Sequence, residues 1–186
     1  MWFWLSLIAL LCWSGSDLFS KIGCQGEDDH LAHLKMVIAV GTVMGLHAAF
    51  EIFVGGTEIS WSIIWTYLPV SLLYIGSMTL GYLGLRYIEL SISSPICNSS
   101  GAMVAVLTLL FVGGEDYSPL ALGAIVLVCV GAIGLGVVDA TEDPELRAAR
   151  QVEGNRKYSK SFLALALPVA YCLLDAAGTF ADNRVL

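Results

Sequence analysis

PLALGAIVLVCVGAIGLGVV, residues 119–138, decides the fold class, because no charged or amide side chain interrupts it from end to end. Crossing about 30 Å of hydrocarbon takes roughly 20 apolar residues at the helical rise. In lipid each backbone N–H and C=O must be paired within its own segment, so a run this long and this apolar reads as a membrane-spanning helix. A barrel strand would need only about half the length. Working outward from this run, the same scale divides the rest of the chain. The candidate spans are Trp2–Ile22, Leu34–Val54, Tyr67–Tyr87 with an apolar lead-in from Trp61, Ser91–Val112, Pro119–Val138 and Ser161–Asp182. The expected fold is therefore all-α, a polytopic transmembrane helix bundle of about six spans.

Composition agrees. The residues AVILMFWYC make up 57% of the 186 and charged residues 13%, against about 25% charge in a soluble domain. A water-soluble fold of this size has no interior large enough to hide so much apolar surface. The net charge is −7, but the acids and bases cluster in short segments, with no basic patch or aromatic-basic interleaving, and no nucleic-acid partner is expected. Cys12, Cys97, Cys129 and Cys172 fall inside apolar runs and Cys24 just outside one, so they imply no disulfide framework. No Lys or Arg precedes Trp2 and no small-residue cleavage site follows the first run, which reads as a span rather than a removable leader.

The short linkers force neighbouring spans to run antiparallel, so alternate loops share a side. The first, third and fifth loops and their edges hold Lys21, Lys35, Arg86, Arg147, Arg150, Arg156, Lys157 and Lys160, while the second and fourth hold neither Lys nor Arg. The positive-inside rule then makes the basic loops cytoplasmic and the N-terminus external, with Trp2, Trp4, Trp61, Trp65 and Tyr117 near the outer interface. The fifth loop, 139–160, is the only long linker; Asp143 and Pro144 precede ELRAARQVE, a short surface helix. After it a new apolar run echoes the first at constant offset: Leu5 on Leu163, Leu7 on Leu165, Trp13 on Tyr171 and Asp17 on Asp175. An odd number of spans before the echo makes the second copy inverted, an arrangement that many secondary transporters use.

With LLCWSGSDLFSKIG at 10–23 and YLGLRYIELSISSPICNSSGAMVAVLTLLFVGGEDYSPLALGAIVLVCVGAIGLGVV at 82–138, the chain resembles the EamA-type family of the drug/metabolite transporter superfamily. The shared run is a tyrosine-rich third helix, a Ser- and Pro-bearing fourth, an acidic turn and a Gly-rich fifth, and it covers nearly all of 1–138. The motifs are diffuse and carry no invariant catalytic signature. The resemblance implies an inverted five-plus-five repeat: 1–138 as a first five-helix repeat, 139–160 as a cytoplasmic linker and 161–186 as the first helix of a second repeat. It also implies about four further helices beyond Leu186, from a longer protein or from another chain with which this one pairs. The sequence departs from the family at GGTEIS, 55–60, where members commonly place basic residues.

Ionisable groups within a membrane cost a few kcal/mol and mark candidate sites. Asp17 has Trp13 and Lys21 one turn to either side on one helix face. One reading makes Trp13 and Asp17 a polar wall of the transport path, with Asp17 taking a proton or facing a cationic group; the other makes Asp17 and Lys21 a structural ion pair, with Lys21 snorkelling to water. Asp175 repeats the acid with no base four residues on. His47 and Glu51 are again four apart in the second span, and His47 is a candidate for the same path or for a helix-helix hydrogen bond. In SISSPICNSSG, residues 91–101, Pro95 frees a carbonyl and Ser94, Asn98 and Gly101 lie near one face, the kind of broken helix that builds a midplane site. The small-xxx-small pairs Gly41–Gly45, Ser77–Gly81 and Ala132–Gly136 are expected to bring helices close without chemistry. His30 and His33 beside Asp28 and Asp29 lack a second ligand cluster, so no metal is expected there, and Asp29 is read as a cap of the second helix.

No nucleophile elbow, phosphate loop or zincin motif occurs, so no cofactor and no ATP-driven chemistry are expected. The expectation is a secondary carrier that exports a small metabolite or drug-like solute across a plasma or inner membrane by alternating access, and it has two rivals. One is a non-transporting scaffold or sensor; the other is an intramembrane enzyme with Asp17 and Asp175 as an acid pair. A single helix of the second repeat should also lack partners to bury Asp175 and Asp182, and so should insert marginally or drive self-association.

Overall fold

The computed structural model describes residues 2–24, 29–112, 118–141, 143, 145 and 162–185. Among these the chain forms seven helices and no strand: α1 (Trp2–Cys24), α2 (Ala32–Phe53), α3 (Trp61–Tyr87), α4 (Leu90–Asn98), α5 (Ser100–Phe111), α6 (Pro119–Thr141) and α7 (Phe162–Val185). With α4 and α5 as one span, six segments are long and apolar enough to cross a membrane. Large apolar side chains such as Phe19, Phe50, Trp65, Leu110, Leu127 and Ile133 are exposed on the outer faces. Hydrocarbon, not water, is the solvent those faces suit, and the chain is a multi-pass membrane protein.

Local chemistry starts and stops these helices. Ser60 Oγ accepts the Ile63 N–H at 3.3 Å and Ser118 Oγ accepts the Ala121 N–H at 3.2 Å, capping α3 and α6, with Pro119 at the first position of α6. After α2 the Thr57 N–H turns back to the Glu51 carbonyl at 3.1 Å through Gly56, whose φ of 75° suits only a residue without a side chain. Asp29 leads into α2 by a turn, its Oδ1 accepting the Leu31 N–H at 3.1 Å and its carbonyl accepting the Arg86 Nη1–H at 2.8 Å. The Lys35 ammonium bonded to Asp29 holds that carboxyl below the usual range. The surface helix expected over 145–153 lies outside the described residues apart from Glu145, whose N–H reaches Asp143 Oδ1 at 2.9 Å.

The fourth span departs from the expected break at Pro95. The helix continues through the proline and yields one turn later, at Ser99, where the Ser99 N–H bonds the Ile96 carbonyl at 3.2 Å. The ladder tightens there from four residues back to three, and Ser99 joins α4 to α5.

The largest correction concerns α7. Far from lacking partners, it packs along α3, with α4 and α5 against it. Of its span 22% is buried, against 0% for those of α2 and α6. The pair α3–α7 is antiparallel: Gly84 faces Leu167 and Pro168, Gly81 faces Tyr171, Gly76 faces Leu174, and Gly178 faces Leu73 and Tyr74. A Cβ built on Gly81 would stand 2.7 Å from the Tyr171 ring, so the glycine is what admits the tyrosine. Ser77, one turn before Gly81, is fully buried, and this small-xxx-small pair serves as expected. Gly41 and Gly45 do not, since nothing lies within 4 Å of a side chain placed on either.

Candidate functional site

A cleft opens among α1, α2, α3, α4, the start of α5 and α7, and its polar wall is contributed by five of them: Trp13, Ser14 and Asp17 from α1, Tyr67, Ser71, Tyr74 and Tyr82 from α3, Ser94 and Asn98 from α4, Ser100 from α5, and Tyr171, Asp175 and Thr179 from α7. Its centre falls near the middle of α3 and α7, at the depth where polar side chains in a span cost most. Apolar side chains from α1, α2 and α3, among them Leu10, Val37, Val40 and Ile75, complete the lining.

Helix geometry explains the convergence. Positions 67, 71, 74, 78 and 82 recur at three or four residues and form one stripe of α3. On α7 the i, i+4 series Tyr171, Asp175, Thr179 forms another. Antiparallel packing lays the stripes side by side, and the Tyr74 hydroxyl donates to Thr179 Oγ1 at 3.1 Å across them. Nearer the C-terminal end of α7, Asp182 Oδ1 is buried with no hydrogen-bond partner among the described residues.

Asp17 is held by α4. Ser94 Oγ donates to Asp17 Oδ2, and Asn98 Nδ2 approaches the same oxygen at 3.4 Å while also donating to the Ser94 carbonyl at 2.9 Å. The i, i+4 spacing of Ser94 and Asn98 makes this a two-residue clamp on one carboxylate oxygen. Below it, Ser99 Oγ donates to the Ile96 carbonyl at 2.7 Å and touches Cys172 Sγ at 3.4 Å, tying the α4–α5 junction to α7.

The expected ion pair of Asp17 with Lys21 is not formed. Lys21 Nζ instead donates to the Leu85 and Ile88 carbonyls, at 2.5 and 2.6 Å. These lie at the C-terminal end of α3, where carbonyls lack helical partners and the helix dipole favours a cation. Both groups thus find better partners on neighbouring helices than each other.

Of the residues singled out in the sequence, the structure brings Trp13, Asp17, Ser94, Asn98 and Asp175 to one cleft. His47 stays outside it, exposed on α2 with Glu51 Oε1 3.8 Å from its Nε2, and it makes no bond to another helix among those described. The tyrosines of α3 and α7 went unnoticed as site residues. Their signal was present in the spacing of Tyr67, Tyr74 and Tyr82, which places all three on one helical face.

Compared with known protein families, curated proteins and solved structures, the chain matches none. The EamA-type resemblance rests on the sequence motifs quoted above.

Proposed function

We propose that this chain is a secondary carrier of the EamA type that moves a small metabolite or drug-like solute outward by alternating access. On this reading it resides in the plasma or inner membrane with its N-terminus outside, and the cleft is the solute path. The observation that carries the proposal is the convergence of Asp17 and Asp175 on one open cleft from antiparallel helices. Each is a carboxylate at a depth where an ionisable group is rare unless it serves a pathway. The α1 C-terminal end meets the α3 C-terminal end through Lys21, and α7 runs against α3, so the two helices that echo each other in sequence run in opposite directions. That is the relation between halves that alternating access exploits.

The test is efflux from vesicles. Proteoliposomes holding the 186-residue chain at a protein density that lets copies associate, so that a second copy can stand in for the missing half, are loaded with a pool of labelled small metabolites, and their contents are followed over time. Loss of one or more pool members from vesicles with the unaltered chain, and their retention with Asp17→Asn, supports the carrier. Equal retention of every pool member by both, and by protein-free vesicles, overturns it.

A further inference from the structure

The cleft also specifies the charge of what it takes. Among the described residues lining it there is no Lys, Arg or His. The nearest base along α1, Lys21, is committed to the Leu85 and Ile88 carbonyls. An anionic solute would meet two carboxylates and nothing to offset its charge.

The two acids differ. Asp17 is already engaged by Ser94 and Asn98. Asp175 lines the same cleft half-buried, and no described group donates a hydrogen bond or pairs in charge with it. A carboxylate in a membrane interior without a partner costs a few kcal/mol, which a bound cation offsets directly. The same cleft is also lined by Trp13, Tyr74, Tyr82 and Tyr171. The Tyr74 hydroxyl is spent on Thr179, so toward a ligand this residue offers mainly its ring. Aromatic faces attract a desolvated cation, and do so without a hydrogen-bond donor on the ligand. The apolar remainder of the lining suits a ligand with a hydrocarbon body rather than a bare metal ion, which would call for several oxygen ligands.

We infer that the cleft binds an amphipathic organic cation, with Asp175 as its counter-ion and the Trp13, Tyr74, Tyr82 and Tyr171 rings flanking the charge. This rests on the carrier reading for its biological use but not for the binding itself, because the chemistry belongs to the cleft whether or not the solute crosses the membrane.

Benzyltrimethylammonium is a suitable probe, since it carries a permanent charge beside an aromatic body and cannot ionise. Titrated calorimetrically into the full chain in lipid nanodiscs at neutral pH, it should bind, whereas benzyl alcohol and benzenesulfonate, its neutral and anionic counterparts, should bind at least about tenfold more weakly. Asp175→Asn should weaken benzyltrimethylammonium by about tenfold or more while leaving the thermal transition of the protein in place, and Asp17→Asn should weaken it less. Absence of benzyltrimethylammonium binding overturns the inference, as does equal binding of the neutral or anionic probe. These comparisons use the unaltered chain and hold even if Asp175→Asn fails to fold. Asp175-dependent binding without movement of any metabolite from the loaded vesicles would sink the carrier and leave the cation site. Efflux of anionic pool members without cation binding would do the reverse.

Discussion

At the residue scale, Asp17 and Lys21 show how far spacing reaches. Four residues apart on a helix they share a face, and spacing alone cannot say whether a neighbouring helix offers either of them something better. The structure gives Asp17 the Ser94 hydroxyl and the Asn98 amide, and gives Lys21 two end carbonyls of α3. Stability in a double-mutant cycle should reflect these separate partners. Asp17→Asn and Lys21→Met should each lower the thermal stability of the detergent-solubilised protein, and their effects should add to within about 0.5 kcal/mol, as for sites that do not touch. A coupling above about 1 kcal/mol would restore the ion pair and remove the clamp on Asp17. The same limit explains His47: its position in an apolar span marked it as a candidate, but α2 turns that face outward.

At the element scale, small residues spaced four apart occur in several helices and mean close packing in only some of them. Gly81→Ala would place a methyl group 2.7 Å from the Tyr171 ring. The contact is with the ring body, which cannot swing aside as a flexible chain end would, so the change should cost about 1–3 kcal/mol. Gly41→Ala meets nothing within 4 Å and should be neutral or stabilising by up to about 1 kcal/mol, the ordinary helix preference of alanine over glycine. Thermal unfolding of the two variants in one detergent checks the contrast, and equal losses would place the α3–α7 contact elsewhere. The tyrosine stripe of α3 was legible in the same way. Residues 67, 74 and 82 lie on one face by spacing alone, but only the arrival of α7 turns that face into the wall of a cleft rather than a lipid-facing surface.

At the scale of the whole molecule, the basic residues of the first, third and fifth loops argue for one orientation. A reporter fused after Arg150 should read as cytoplasmic and one inserted at Gly56 as external. The opposite pattern overturns the N-outside topology and, with it, the outward sense assigned to the cleft. Six spans, their order and their approximate ends were set by the sequence itself, because lipid demands a helix wherever some twenty apolar residues run unbroken. The sequence also shows Asp17 and Asp175 at matching places in two similar apolar runs. Tertiary structure alone decided that α7 is the most buried of the six spans, that Lys21 bonds to α3, and that Asp175 lines the cleft without a hydrogen-bond or charge partner among the described residues. The reason is physical. Hydrophobicity tells a segment that it belongs in lipid but is nearly blind to which helix it should touch there, since lipid tails are as apolar as leucine. Helix-to-helix choice falls instead to close fit and hydrogen bonds between particular side chains, Gly81 on Tyr171 and Tyr74 on Thr179, and such fits exist only once the helices have met.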